Sequence, residues 1–313
     1  MAEQRISEAT RGVFAISATP FTEDGALDLE SCDGLTDFYL EQGVDGITIL
    51  GMMGEAPKLT EEESVAFARR VLARAAGRLP VVVGVSSPGL DNLVRLSRTS
   101  MDLGAAGVMI APPAGLRTET QVLGYFDSVF ARLGPDVPVC YQDYPTVTNV
   151  PISVETFNAL VDRHPSLVML KHEDFPGLRK LTAVRRGAES GPQRRVSILV
   201  ANAGLYYPLE MRRGADGVMT GFAYPEMLAQ VYALFEAGEA DAAEDLYDLY
   251  LPILRYEYQI GVGLAVRKEI LRRRGAIRCA ATRAPGPALD ADDHEELSTL
   301  MRRLDAKLAA RKG

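Results

Sequence analysis

Cysteine, histidine and tryptophan are scarce in this chain, and their scarcity excludes several kinds of protein. The 313 residues include three cysteines, three histidines and no tryptophan. The cysteines at 32, 140 and 279 are odd in number and far apart, which excludes a disulfide framework and a cysteine zinc site. No histidine or carboxylate spacing follows a metal-binding motif. We therefore expect no metal.

An excess of basic charge and long apolar runs are also missing. The net charge is -8 and the pI is about 5.1, which argues against nucleic acid or an anionic membrane as partner. No segment has the apolar core of a signal peptide or the length of a membrane span. We expect a cytoplasmic protein that acts on a small molecule, with 47% hydrophobic residues to build one large core.

Alternation of short apolar runs with longer amphipathic ones dominates residues 13–237. The alternation predicts strands at 13–19, 46–50, 80–85, 107–110, 137–141, 167–171, 196–200 and 217–220, and helices near 29–42, 61–76, 90–103, 119–133, 153–163, 177–187, 203–213 and 225–237. Eight such βα units indicate an α/β protein with a (β/α)8 TIM barrel. The alternative is a doubly wound open sheet, but no G-x-G-x-x-G follows the first strand.

A short glycine pattern recurs where a predicted helix leads into a strand. It stands at 43–46, 104–107 and 214–217, each time with a glycine at both ends. The first glycine is expected to end the helix in the left-handed region, and the second to let the chain turn tightly into the strand. The recurrence supports one repeated unit.

The strand pattern ends near Gly238, which divides the chain into a barrel domain at 1–237 and a C-terminal extension at 238–313. Three helices are predicted in the extension, at 239–251, 252–274 and 289–310. Its apolar and aromatic residues can either pack against the barrel or form a subunit contact.

One lysine lies in an unusual place in this pattern. Of the lysines at 58, 171, 180, 268, 307 and 312, Lys171 alone directly follows an apolar strand, Leu167-Val168-Met169-Leu170. Burial among apolar walls favours a neutral amine, which can attack a carbonyl and form a Schiff base. In the alternative, its ammonium lies in water or pairs with Glu173 or Asp174.

Two further strand ends carry groups suited to chemistry, because the active site of such a barrel lies at the C-terminal ends of its strands. The loop Gly51-Met52-Met53-Gly54-Glu55 follows the second strand, and its tight turn can leave N–H groups free to bind a carboxylate. Tyr141 ends the fifth strand, and its hydroxyl can donate or accept a proton.

Together these residues resemble the dihydrodipicolinate synthase and N-acetylneuraminate lyase superfamily over nearly the whole chain. The matching features are the G-x-x-G-E loop at 51–55, the tyrosine-proline segment at 141–145 and the strand that ends at Lys171. The resemblance implies that Lys171 forms an imine with pyruvate or another 2-oxo acid, that Tyr141 relays protons, and that the peptide N–H groups of Met52 and Met53 hold the carboxylate. It also implies a homo-oligomer, a dimer or a tetramer, and no cofactor.

The chain departs from the family pattern at three points. Met52 and Met53 replace the hydroxyl residues of a proton relay, Pro112-Pro113-Ala114-Gly115 stands where synthases carry a tyrosine, and the segment around Val147 lacks their arginine. The candidates to replace the relay are Asp143, Asp174 and Glu173, which lies two residues beyond Lys171 and so on the same face. In the alternative they are solvated loop carboxylates. Asp143, Val147 and Glu173 complete the predicted substrate site.

Three functions are consistent with these observations. The first is a Schiff-base lyase that condenses or cleaves a 2-oxo acid in an aldol reaction, although strict dihydrodipicolinate synthase activity is not expected. The second is dehydration of a 2-oxo-3-deoxy sugar acid through the same imine. The third is a barrel that binds a 2-oxo acid without turnover. His172, next to Lys171, is predicted to point away from the barrel axis.

Overall fold

The structure, a computed structural model, describes residues 4–312 as a closed barrel of parallel strands with a helical extension. The strands are β1 (Gly12–Ile16), β2 (Gly46–Ile49), β3 (Val81–Gly84), β4 (Gly107–Ile110), β5 (Val139–Asp143), β6 (Leu167–His172), β7 (Ser197–Val200) and β8 (Gly217–Thr220). They pair in chain order, and β1 closes the barrel by pairing with β8. The predicted TIM barrel is confirmed.

The helices surround the barrel and continue past it. They are α1 (Leu29–Glu41), α2 (Glu61–Ala75), α3 (Leu90–Asp102), α4 (Glu119–Leu133), α5 (Pro145–Thr148), α6 (Val154–Arg163), α7 (Gly177–Ser190), α8 (Tyr207–Met211), α9 (Pro225–Glu236), α10 (Ala240–Glu257), α11 (Gly263–Arg273) and α12 (Ala291–Lys312). Two of those before residue 238 differ most from expectation. The helix predicted at 203–213 shrinks to α8 after a 3-10 turn, and α5 was not predicted.

Side chains of the strands alternate between the barrel interior, here called the lumen, and the layer under the helices, except that Val168 and Met169 of β6 both belong to the inner cluster. In β1, Phe14 and Ile16 belong to the inner cluster, whereas Val13 and Ala15 belong to the outer one. The other inner residues are Val82, Met109, Cys140, Val168, Met169, Leu199 and Met219, with Ile6 and Ala106 at one end. This alternation decides which side chains of β5 and β6 can reach a ligand in the lumen.

The recurring glycines have two different structural reasons. Gly43, Gly104 and Gly214 have φ of +74°, +94° and +89°, so their predicted left-handed conformation is confirmed. The second glycine of each pattern is needed for a close approach rather than a tight turn. A Cβ on Gly217, for example, would lie 2.0 Å from the carbonyl oxygen of Gly12 in the neighbouring strand.

Replacing Gly217 with alanine should therefore destabilise the barrel far more than the same change at Gly43. Backbone of β1 blocks the new methyl group at 217, whereas nothing lies within 4 Å of one at 43. We expect the free energy of unfolding to fall by about 3 kcal/mol or more for Gly217→Ala. For Gly43→Ala we expect about 1–2 kcal/mol, the cost of a left-handed alanine. Chemical denaturation measures both, and equal losses would contradict this explanation.

The three predicted helices of the extension are present, but one predicted boundary is wrong. The break expected at residues 251–252 does not occur: Pro252 lies inside α10, although it removes one N–H donor and crowds the carbonyl of the preceding turn. Packing of the buried Tyr250, Ile253 and Leu254 keeps the helix intact. The break lies after Tyr258, where Gly261 has φ of +93°.

The extension packs against the barrel. Tyr247 of α10 is buried and donates a hydrogen bond of 2.6 Å to the carbonyl oxygen of Leu205, which follows β7. Within residues 4–312, no helix is long and apolar enough to cross a membrane.

Candidate active site

Lys171 lies at the C-terminal end of β6 with its side chain in the lumen. It follows the inner residue Met169 by two positions, and its residue exposure is 3%. Its Nζ lies 3.0 Å from Oε2 of Glu173. The amine is therefore buried and paired with a carboxylate, and it does not lie in open solvent.

Glu173 brings a second strand into the site. Its exposure is 7%, and its Oε2 accepts a hydrogen bond of 2.7 Å from Nε2 of Gln142. Gln142 lies directly opposite Lys171 in the register of β5 and β6. The prediction that Glu173 shares a face with Lys171 is confirmed, and Gln142, which the sequence analysis missed, orients its carboxylate.

Tyr141 is not part of this site, so the prediction that its hydroxyl serves Lys171 is wrong. Tyr141 lies opposite Leu170 and faces outward. Its ring centroid lies 5.0 Å from that of Phe126 in α4 and 5.9 Å from that of Phe157 in α6. Burial raises the pKa of its phenol well above the usual value, and the hydroxyl has no hydrogen-bond partner among the described residues. Side chains alternate along a strand, so Tyr141 must point outward because its neighbour Gln142 points inward.

Two other tyrosines lie near Glu173 instead. Tyr144 is two residues beyond Gln142, and burial, followed by the charge of Glu173, raises the pKa of its phenol. Tyr258, at the end of α10, donates a hydrogen bond of 3.4 Å to Oδ1 of Asn202. Burial and then Glu173 raise the pKa of Tyr258 to about 12. Counting by two along β5 from Gln142 would have found Tyr144, but nothing local marks Tyr258.

The tyrosines give a direct test of this assignment. We expect Tyr141→Phe to change turnover less than twofold, because the lost hydroxyl bonds nothing in the described structure. We expect Tyr144→Phe to lower kcat by about tenfold or more, because the phenol is near enough to Glu173, a candidate acid–base group, for that charge to raise its pKa. Steady-state kinetics of the two variants, each with one oxygen removed, makes the comparison. A large loss in Tyr141→Phe would restore the original prediction.

The sequence-based prediction that Asp143 contacts the substrate is also wrong. It is 1% exposed and lies on the outer side of β5, where its Oδ2 is 2.7 Å from Nζ of Lys180 and 3.6 Å from Nδ1 of His172. His172 points away from the barrel axis as predicted, with Nε2 2.9 Å from the carbonyl oxygen of Gly177. Burial lowers the pKa of His172, but Asp143, with smaller contributions from the Gly177 carbonyl and Glu210, outweighs burial and raises it.

The glycine loop forms a short 3-10 turn, Met52–Gly54, at the end of β2. The N–H groups of Gly54 and Glu55 bond the carbonyl oxygens of Gly51 and Met52, at 3.0 Å each. For the N–H groups of Met52 and Met53, residues 4–312 provide no acceptor. Met53 packs against the inner cluster. The loop thus keeps two backbone donors beside the lumen, as a carboxylate cradle requires.

Glu55 is not available to substrate, which corrects its assignment to the binding site. Its side chain is 1% exposed, and its Oε1 lies 2.6 Å from Nζ of Lys268. Its Oε2 lies 2.8 Å from Nζ of Lys58 and accepts a hydrogen bond of 2.9 Å from the N–H of Arg283. Both carboxylate oxygens are occupied by the protein itself.

A cavity of about 540 Å³ opens at the ends of β2 to β5, a volume suited to a small organic ligand. Gly51, Met52, Met109, Gln142 and Val147 are among the residues that line it. Val147 is 45% exposed and lies at its edge. The described residues contain no group of three His, Cys, Asp or Glu side chains that could hold a metal.

A parallel barrel whose lumen holds a buried amine beside a carboxylate has the architecture of a class I lyase. The family described as Dihydrodipicolinate synthetase matches residues 9–304. The chain therefore belongs to that family and is a lyase.

Individual relatives differ in the reaction named for them. L-2-keto-3-deoxyarabonate dehydratase of Azospirillum brasilense is 30% identical over 309 residues, covering 94% of each chain. The 4-hydroxy-tetrahydrodipicolinate synthase of Sorangium cellulosum is 31% identical over 302 residues, covering 96% of this chain and 97% of the relative. A crystal structure of dihydrodipicolinate synthase from Rhodopseudomonas palustris superposes with a TM-score of 0.93 at 47% identity, covering 96% of this chain and 99% of that one.

Proposed function

We propose that this protein is a lysine-imine lyase that dehydrates a 2-oxo-3-deoxy sugar acid, with Lys171 as nucleophile and Glu173 as acid–base. The observation that carries the proposal is the buried contact of 3.0 Å between Nζ of Lys171 and Oε2 of Glu173. No cofactor is needed for this chemistry.

The first step forms the imine. Glu173 takes a proton from the ammonium of Lys171 across their contact, which leaves a neutral amine. The amine attacks the C2 carbonyl of the substrate, and the resulting carbinolamine loses water. The free N–H groups of Met52 and Met53 bind the substrate carboxylate, which orients C2 toward Nζ.

The second step removes a proton from C3. The imine draws electrons toward nitrogen, and the carboxylate of Glu173, which contacts that nitrogen, reaches the hydrogens on the adjacent carbon. Gln142 holds this carboxylate by its hydrogen bond. The electron pair from the C3–H bond then expels the C4 hydroxyl as water, with a proton from Glu173 or Tyr144. Tautomerisation and hydrolysis of the imine release product and return the amine.

One feature favours dehydration over an aldol reaction: Met52 and Met53 replace the hydroxyl groups of the synthase relay, while the carboxylate of Glu173 lies beside the imine position. A relative that is 30% identical along nearly its whole length is a dehydratase of a 2-keto-3-deoxy sugar acid, so dehydration is a reaction found among the relatives of this chain. Aldol condensation or cleavage is the second candidate, supported by the synthase relatives, because it begins with the same proton transfer at C3.

Product analysis separates these functions. Purified protein is incubated with a panel of 2-oxo-3-deoxy sugar acids of different length, and the mixtures are followed by NMR and mass spectrometry. We expect one product that differs from its substrate by loss of water. Pyruvate together with an aldehyde would favour aldol cleavage, and turnover of no substrate would favour the barrel that binds without reaction.

We also propose that the protein is a cytoplasmic homo-oligomer, a dimer or a tetramer. Large apolar side chains at the surface support a subunit contact; they include Phe175, Leu209 and Ile260, of which Ile260 is 92% exposed. We also propose a division into a barrel at 1–237 and an extension at 238–313. It is supported by the end of α9, the helix that follows the last strand, at Glu236.

A further inference from the structure

The carboxylate of Glu55 joins the glycine loop to the C-terminal extension. Glu55 closes the turn Met52–Gly54 with a left-handed backbone, φ of +55°. Its buried carboxylate contacts Lys268, 213 residues away in the chain, and the N–H of Arg283, 228 residues away. A short loop beside the substrate is thus fixed by a distant part of the sequence.

Lys268 provides the first of these two contacts. Its side chain in α11 is completely buried, and its ammonium also donates a hydrogen bond of 2.8 Å to the carbonyl oxygen of Ala281. The same ammonium lies 4.5 Å from the ring centroid of Phe21. Burial lowers the pKa of Lys268, and the hydrogen bond to Glu55 opposes that shift. Glu55 therefore supplies the buried ammonium of Lys268 with its carboxylate partner.

Arg283 fixes the loop from the segment between α11 and α12. Its guanidinium donates to both oxygens of Glu63, at 2.6 and 2.7 Å. It also bonds the carbonyl oxygens of Lys58, at 3.0 Å, and Gly25, at 2.8 Å. The extension thus contacts the loop through the side chain of Lys268 and the backbone N–H of Arg283, and the guanidinium of Arg283 holds that backbone in place.

The contacts of Glu55 with the extension affect substrate binding because the turn Met52–Gly54 sets the directions of the free N–H groups of Met52 and Met53. That turn is closed by the N–H of Glu55, which bonds the carbonyl oxygen of Met52 at 3.0 Å. Hydrogen bonds weaken steeply when a donor is misdirected. Relaxation at Glu55 would let the peptide planes of Met52 and Met53 turn, which would weaken their hydrogen bonds to a bound carboxylate.

We propose that Lys268 and Arg283 are positioning residues for the carboxylate of the 2-oxo acid, which they orient through Glu55 and the turn Met52–Gly54. The inference rests on the proposed function, since it assumes that this turn binds the substrate carboxylate. It gives the C-terminal extension a part in substrate binding in addition to its packing role.

The test measures how much pyruvate is needed to trap Lys171 as a borohydride-reduced adduct. In Lys268→Met the half-saturating pyruvate concentration should rise about 10- to 100-fold, the effect of weakening one or two hydrogen bonds to a charged group. The amount of adduct at saturating pyruvate should equal that of the unsubstituted protein. A purely structural role would lower the yield of folded protein without moving the half-saturation point.

Arg274→Met is the matched control. Arg274 follows α11 and contacts Glu226 at 2.7 Å, so its loss disturbs the extension but not the loop. We expect its half-saturation point to stay within about twofold. If Lys268→Met does not fold, Lys58→Met tests the same carboxylate from a more exposed position, because Nζ of Lys58 lies 2.8 Å from Oε2 of Glu55 and its side chain is 24% exposed. Unchanged half-saturation in the folded variant would overturn the inference alone, whereas absence of adduct in the unsubstituted protein would overturn the proposed function as well.

Discussion

Replacing Lys171 with arginine is expected to reduce turnover by at least about 10⁴-fold, because the nucleophile of the reaction is lost. Arginine keeps a positive charge beside Glu173, so the buried carboxylate is not left unpaired. A guanidinium cannot form the imine. The variant should therefore remain folded, which circular dichroism checks, and should give no adduct with borohydride.

Lys180→Arg is the control for this result. Lys180 is the lysine nearest in sequence and is also largely buried, at 10% side-chain exposure, but it lies outside the barrel wall against Asp143. Turnover of Lys180→Arg should stay within about threefold of the unsubstituted rate, as expected for a change away from the reacting atoms. Turnover by Lys171→Arg above one hundredth of the unsubstituted rate would exclude Lys171 as the nucleophile.

Replacing Glu173 with glutamine is expected to slow proton transfer at C3 severely and to slow formation of the imine, which still accumulates at saturating pyruvate because water can take the proton from Lys171. An acid–base group contributes about 10²- to 10⁴-fold, and we expect a loss of that size. The measurement is exchange of the pyruvate methyl hydrogens in deuterated water, followed by NMR, because that exchange requires only the imine and the base at C3. The adduct trapped at saturating pyruvate should persist.

Asp174→Asn controls for the charge of Glu173. Asp174 is the next residue, and its carboxylate lies 3.0 Å from Nζ of Lys180 instead of Lys171. The rate at which Asp174→Asn exchanges the pyruvate methyl hydrogens should be nearly that of the unsubstituted protein. If Glu173→Gln exchanged the methyl hydrogens at an undiminished rate, another group would have to be the base, and Tyr144 would be the next to test.

The barrel and its central amine could be predicted from sequence because both depend on local patterns. Alternating apolar periods gave the strands, and the run before Lys171 showed a cation at the end of a buried strand. Glu173 could be predicted by continuing the two-residue period of β6 one residue past its end, because that period does not depend on any other strand.

The second strand of the site could not be predicted so simply. Whether Tyr141 or Gln142 faces the lumen depends on the phase of the alternation along β5, in which Cys140 faces inward and Tyr141 outward. A shift of one residue exchanges the inner and outer faces. The apolar run of β5 fits either assignment, because a parallel barrel strand is buried on both sides.

Contacts between distant segments could not be predicted from the sequence either. Glu55 resembled a loop carboxylate at a binding site, and its partners Lys268 and Arg283 come from the far end of the chain. Tyr258 reaches the neighbourhood of Glu173 for the same reason, since α10 continues through Pro252 and ends near the barrel mouth. Tertiary packing, which carries no local pattern, decides both.

Peptide mapping of the unsubstituted protein after borohydride reduction with pyruvate tests the central claim most directly. We expect one stable modification of a lysine, on the peptide that contains Lys171, and none in a parallel sample reduced without pyruvate. Modification of a different lysine, or of none with any 2-oxo acid, would contradict it.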